Sequence, residues 1–215
     1  MRYTVVQRWI LAGLCALSVG LLGWTPPARA QIDPGAIIGT VTGVTTTLTG
    51  TTTTLEGTGL LAAGTSDALQ ASAIADQIPS VLTGEALHAT TIGYPDQIDS
   101  EASLADLALS VGVNTIGADL VIAQASAAQG AAGTGIAEID NLSINGVPIL
   151  VTGDPNQTIS IPGGTVVLYE QQILSDGTIV VNALHATIAG VTDVMVGSAM
   201  AGPSGGQASA VQASY

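Results

Sequence analysis

The sequence predicts an all-β chain: an antiparallel β-sandwich-like domain preceded by a low-complexity, Thr/Gly-rich N-terminal arm. Three observations carry this. From Asp67 onward, short runs rich in Val, Ile, Leu and Thr recur, as half-buried strands require. Turn-forming groups separate them: Asn145-Gly146, Asp154-Pro155-Asn156, Pro162-Gly163-Gly164 and Asp176-Gly177. Residues 107–113 alternate so that Leu107, Leu109, Val111 and Val113 share one face of a strand. Strands about ten residues apart and joined by tight turns stack as a sandwich. A β-solenoid is the alternative, because stacked Val and Ile with few aromatics suit it, but no regular coil period supports it.

In chain order, residues 1–30 read as an export signal. A basic start (Arg2, Arg8) leads into the apolar run Trp9 to Trp24, and Ala28-Arg29-Ala30 has the small-x-small pattern of a signal-peptidase site. The run is shorter than the ~20 apolar residues of a membrane span. Residues 31–67 form the arm, read as weakly ordered. Eleven of the nineteen residues from Thr40 to Thr58 are Thr. Ile37, Val41, Val44, Leu48 and Leu55 have helical spacing, but Thr and the interrupting glycines oppose a helix. A glycosylated stalk is a further reading of this composition. Residues 68–202 form the β domain, with strands expected at 107–113, 119–127, 135–144, 147–152, 165–173, 178–188 and 191–199. Residues 203–215 form a small, polar, flexible tail.

Composition excludes several functions. The three basic residues are Arg2, Arg8 and Arg29, so the segment from Gln31 on has sixteen acids and no Lys or Arg. Such a segment cannot displace counterions from phosphates, which excludes nucleic acid and anionic lipid as partners. The single cysteine, Cys15, lies in the signal, leaving neither disulfide nor thiol. The acids must then be solvated, hydrogen-bonded or bound to cations, and stability must come from burying Val, Ile, Leu and Ala.

One short echo stands out. Ala86-Leu87-His88-Ala89-Thr90 recurs as Ala183-Leu184-His185-Ala186-Thr187, and extension to Asp96 and Asp193 gives seven identities in eleven positions. Both histidines of the chain lie in it. One reading brings His88 and His185 together, with Asp96 and Asp193, on a metal ion. The favoured reading is structural: two related strands, each carrying a half-buried histidine, with no third ligand to complete a metal site. The carboxylate pairs Asp96 with Asp99 and Glu138 with Asp140 suit acid–base chemistry by type but read as solvated surface charge. The loop 94–99 offers oxygens of the kind calcium takes, without a complete calcium-loop pattern. No catalytic, cofactor or metal site is assigned, and the chain is read as not an enzyme.

Residues 139–146 (IDNLSING), 151–159 (VTGDPNQTI), 169–172 (YEQQ), 180–185 (VVNALH) and 193–199 (DVMVGSA), with 99–106 (DSEASLAD), resemble the choice-of-anchor P family. The resemblance covers about 67–202. It implies an exported bacterial surface or extracellular protein whose relatives carry varied C-terminal anchoring signals. This chain shows no LPxTG-like motif and no apolar anchor helix with a basic tail, so release or non-covalent association with the envelope is expected. Met200 stands where the family pattern leads one to expect His. The functional expectation is a secreted or cell-surface-associated structural or interaction protein of the matrix or adhesion type, with self-association or envelope and matrix components as partners. The alternative is a calcium- or carbohydrate-binding extracellular module.

Overall fold

The computed structural model describes residues 31–32, 35–43, 51–61, 66–190 and 192–204. The expected signal at 1–30 and most of the expected tail lie outside them. The strands are β1 (Gln31–Ile32), β2 (Gly35–Gly43), β3 (Thr51–Leu60), β4 (Ala68–Ile78), β5 (Leu82–Gly93), β6 (Gln97–Val111), β7 (Asn114–Ala128) and β8 (Thr134–Asp140). They continue with β9 (Ser143–Ile144), β10 (Val147–Pro148), β11 (Gln157–Ile161), β12 (Gly164–Ile173), β13 (Ile179–Ile188), β14 (Thr192–Ala201) and β15 (Pro203–Ser204). Among the described residues there is no helix, and none is long and apolar enough to cross a membrane.

All pairings are antiparallel. A seven-stranded sheet runs β10-β9-β7-β6-β5-β4, with β8 also on β7, and a six-stranded sheet runs β11-β12-β13-β14-β2-β3. β13 and β14 lie over β6 and β7, and β2 over β5 and β6, so the two sheets form a sandwich. β1 and β15 make a separate two-stranded pair.

Turn chemistry sets the hairpins. Asn145 and Gly146 both take positive φ, 53° and 75°, as a two-residue type I′ turn between β9 and β10 requires. Pro162-Gly163 joins β11 to β12 with Gly163 at φ 79°, the arrangement of a type II turn. Gly112-Val113 joins β6 to β7 with Gly112 at φ 63°. The expected strand face therefore ends at Val111: Leu107, Leu109 and Val111 are buried, whereas Val113 projects from the turn, 82% exposed.

The largest difference from the sequence reading lies at 31–67. Gly35–Gly43 pairs along β14, and Thr51–Leu60 pairs along β2, so this segment supplies two strands of the six-stranded sheet. Threonine is β-branched and suits a pleated surface, and neither the helix nor the weakly ordered arm describes these strands. The reading also lacked β4 and β11, and had β5 only as the strand expected around His88.

Midway along the sheets the strands change facing. In β6, Ile98, Ala102 and Leu104 face the core, then Leu107, Leu109 and Val111. In β7, Ile116 and Ala118 are followed by Val121, Ala123 and Ala125. In β13, consecutive Ala183 and Leu184 are both fully buried. Left-handed residues mark this kink line: Glu56, Ala86, Asp106 and Tyr169 at φ 45–48°, and Gly197 at 64°. The register of β6 on β7 and of β13 on its two neighbours is the same on either side of the kink. Neighbouring strands thus reverse together and keep one apolar face inward.

The core between the sheets is aliphatic, with Leu82, Leu87, Leu104, Leu109, Ile116, Leu168, Ile179 and Leu184 each at most 2% exposed. Buried alanines interleave with them. At Gly135 the sheets approach so closely that a Cβ would fall onto the Val181 side chain. The Tyr169 hydroxyl donates to the Gly135 carbonyl at 2.5 Å, tying β12 to β8 across the layers.

Candidate functional site: a histidine held between two carboxylates

The outer face of the six-stranded sheet carries the most distinctive group of polar side chains. The register sets Val167 of β12 and Met195 of β14 beside His185 of β13, Glu170 and Ser198 beside Asn182, and Asp193 beside Thr187. Because β13 kinks at Ala183, Asn182 and His185 both face outward although they are three positions apart. Glu170 therefore reaches both.

The imidazole is engaged on both sides. Nδ1 lies 2.9 Å from Glu170 Oε2, and Nε2 lies 2.5 Å from Asp193 Oδ1. The Asn182 amide donates to the same Glu170 oxygen at 2.6 Å. The Thr187 hydroxyl is 3.3 Å from Nε2 and donates to Asp193 at 3.4 Å. His185 is 8% exposed. The buried Asn182 Oδ1 has no hydrogen-bond partner.

Carboxylates only accept, and both ring nitrogens donate only in the imidazolium. The geometry therefore calls for the doubly protonated ring. Burial opposes that charge, but the hydrogen bonds to Asp193 and Glu170 and their negative charges outweigh it and raise the His185 pKa to about 9. Burial likewise works to raise the Glu170 pKa, yet the hydrogen bonds from His185 and Asn182, with the His185 charge, hold it below the ordinary carboxylate value. Since residues 31–215 hold no Lys or Arg, this ring supplies positive charge that no longer side chain can offer.

The two echoed histidines are not brought together. His88 lies on the outer side of β5 in the seven-stranded sheet, between Ser72 and Ser103, while His185 lies on the outer side of the other sheet. Asp193 does meet His185, whereas Asp96 sits in the turn after β5, its carbonyl accepting the Gln129 N–H. Among the described residues no group of three or more His, Cys, Asp and Glu is arranged to hold a metal ion. Asp99 accepts from Gln97 at 3.0 Å, and Glu138 and Asp140 stand exposed on β8. Sequence reasoning missed Glu170 as a partner of His185, Asn182 as a second donor to Glu170, and Thr187 beside the ring. The last two lie within three residues of it, but Glu170 joins only through the β12–β13 register.

A second feature is a shallow groove of about 330 Å³ on the outer face of the seven-stranded sheet, lined in part by Thr90, Asp99, Glu101, Gln124, Ser126 and Ile136. Gln124 donates to Glu101 there at 2.7 Å.

Comparison with protein-family models, with curated proteins and with solved structures returns no match.

Proposed function

We propose that this chain is an exported, non-catalytic structural or interaction protein, acting at the cell surface or in the extracellular matrix through strand-edge association. The observation that carries the reading is the open edge at β4. Ten of its eleven residues pair with β5 in a single register, and among the described residues no second strand hydrogen-bonds to it as a ladder partner, although β3 lies close by. Asp76 is its one charged residue, and Ile74 projects from it 92% exposed. Edges of soluble sheets are ordinarily guarded by lysine, proline, bulges or short length, and β4 has no Lys or Pro. The other edges are more guarded: β11 has five residues, β3 contains Glu56 and Gly59 in left-handed conformations, Pro148 lies in β10, and β8, of seven residues, carries Glu138 and Asp140.

The His185 group supports a non-catalytic reading, because both ring nitrogens are already taken by carboxylates and neither is free to act as a base, while the neighbouring Thr187 hydroxyl donates to Asp193. The resemblance to choice-of-anchor P proteins is consistent with an exported surface role. Sedimentation velocity tests the proposal. The protein should form concentration-dependent higher species, and Ile74→Lys, which removes no packing and adds a guarding charge, should suppress them by tenfold or more in concentration. Assembly unchanged by this substitution would sink the edge as the contact. Deleting residues 31–67 is not a clean test, since it removes two strands of the sheet.

The outer groove favours a second reading, a calcium- or carbohydrate-binding module. A ligand bound only by the folded form must raise thermal stability. A melting temperature unmoved by millimolar calcium and by a panel of neutral saccharides would reject it.

A further inference from the structure

The Glu170–His185–Asp193 group occupies a particular place in the six-stranded sheet. β13 separates β11 and β12 on one side from β14, β2 and β3 on the other. Glu170 comes from one side, Asp193 from the other, and the ring of His185 spans them. We propose that His185 is a pH-operated clamp joining the two halves of this sheet, closed while the imidazole carries both protons and released in alkaline solution.

The chemistry follows from the two contacts. When the ring loses a proton, one nitrogen becomes an acceptor and faces a carboxylate oxygen with no hydrogen between them. One short bond becomes a repulsion, and two carboxylates lose their shared counterion. Few other groups buffer the change. The titratable side chains facing the ring are Glu170 from β12 and Asp193 from β14; Val167, Met195, Asn182 and Thr187 complete its surroundings. β2, on the far side of β14, holds no titratable residue.

The direction of the pH dependence is fixed by the raised pKa. A folded-state value near 9 against an ordinary value of 6.5 gives stabilisation that is fully present below about pH 6.5 and is lost as pH rises through 9. Glu170, held below the ordinary carboxylate value, remains ionised throughout that window, and residues 31–215 have no lysine to titrate in it.

Denaturant unfolding at pH 7 and pH 9.5 of the wild-type protein and of His185→Gln tests the clamp. The wild-type folding equilibrium constant should fall on the order of tenfold to a hundredfold more than that of the variant. Parallel pH profiles would overturn the proposal. Asp193→Asn provides a second arm should His185→Gln fail to fold: with one carboxylate neutralised, the alkaline loss should begin at lower pH. A profile superimposable on wild type would also count against the clamp. A merely structural hydrogen bond would lower stability in both variants without moving the pH at which it is lost.

Discussion

The same five residues, Ala-Leu-His-Ala-Thr, sit at the kink line of both sheets, once in β5 and once in β13. In both, the leucine is buried, Leu87 at 1% and Leu184 at 0%, and the following alanines Ala89 and Ala186 are fully enclosed. In both, the histidine turns outward. There the likeness ends. His88 stands one strand from an edge, flanked across the sheet by Ser72 and Ser103. His185 stands on an interior strand beside Val167 and Met195, with an acid on each ring nitrogen. The backbone differs too: Ala86 is left-handed at φ 48°, while Ala183 is not among the left-handed residues. Alternation around the kink decides which side chains face the core, and neighbouring strands decide the chemistry of those facing out.

That comparison is open to attack, starting with the largest effects. Leu87→Ala and Leu184→Ala should each cost about 2–5 kcal/mol, as large-to-small core changes do, measured by denaturant unfolding; a small loss in either would mean that the two copies are not equivalent in packing. His185→Gln at pH 7 should cost about 1–3 kcal/mol by breaking charged hydrogen bonds, against a change within about 0.5 kcal/mol for His88→Gln, as expected of a substitution away from such a network. Equal effects would erase the distinction. The two alanines should respond to glycine in opposite directions. Ala86→Gly relieves a left-handed residue and should raise stability by up to about 1 kcal/mol, whereas Ala183→Gly should lower it by about 1 kcal/mol through lost burial and added chain freedom. Tyr169→Phe, removing the tie to Gly135, should cost about 1 kcal/mol and leave the His185 contacts intact.

Much of the sheet architecture was legible because it rests on local rules. Asn145-Gly146 specifies a type I′ turn whatever surrounds it, and the alternation of Leu107, Leu109 and Val111 needs no partner to be read. Three things were not legible. Residues 35–43 and 51–60 are too rich in Thr and Gly to show alternation, and their order comes from pairing with β14 and with each other. The kink line breaks the period of two within single strands, so β13 reads as a run of apolar residues with a histidine rather than as two faces exchanged at Ala183. The site is non-local: the echo drew attention to His185 and Asp193, but Glu170 arrives from a neighbouring strand whose register the sequence does not state. The echo also suggested that two histidines meet, whereas it marks equivalent places on opposite layers.

Carboxylates from two strands hold His185 as an imidazolium. Titration of the two histidine side chains by heteronuclear NMR tests this most directly. The ring nitrogen shifts of His185 should stay at their protonated values through neutrality and change only around pH 9, with the transition moving to lower pH in Asp193→Asn. A midpoint at or below about 6.5, the value of an unperturbed histidine, would contradict the account.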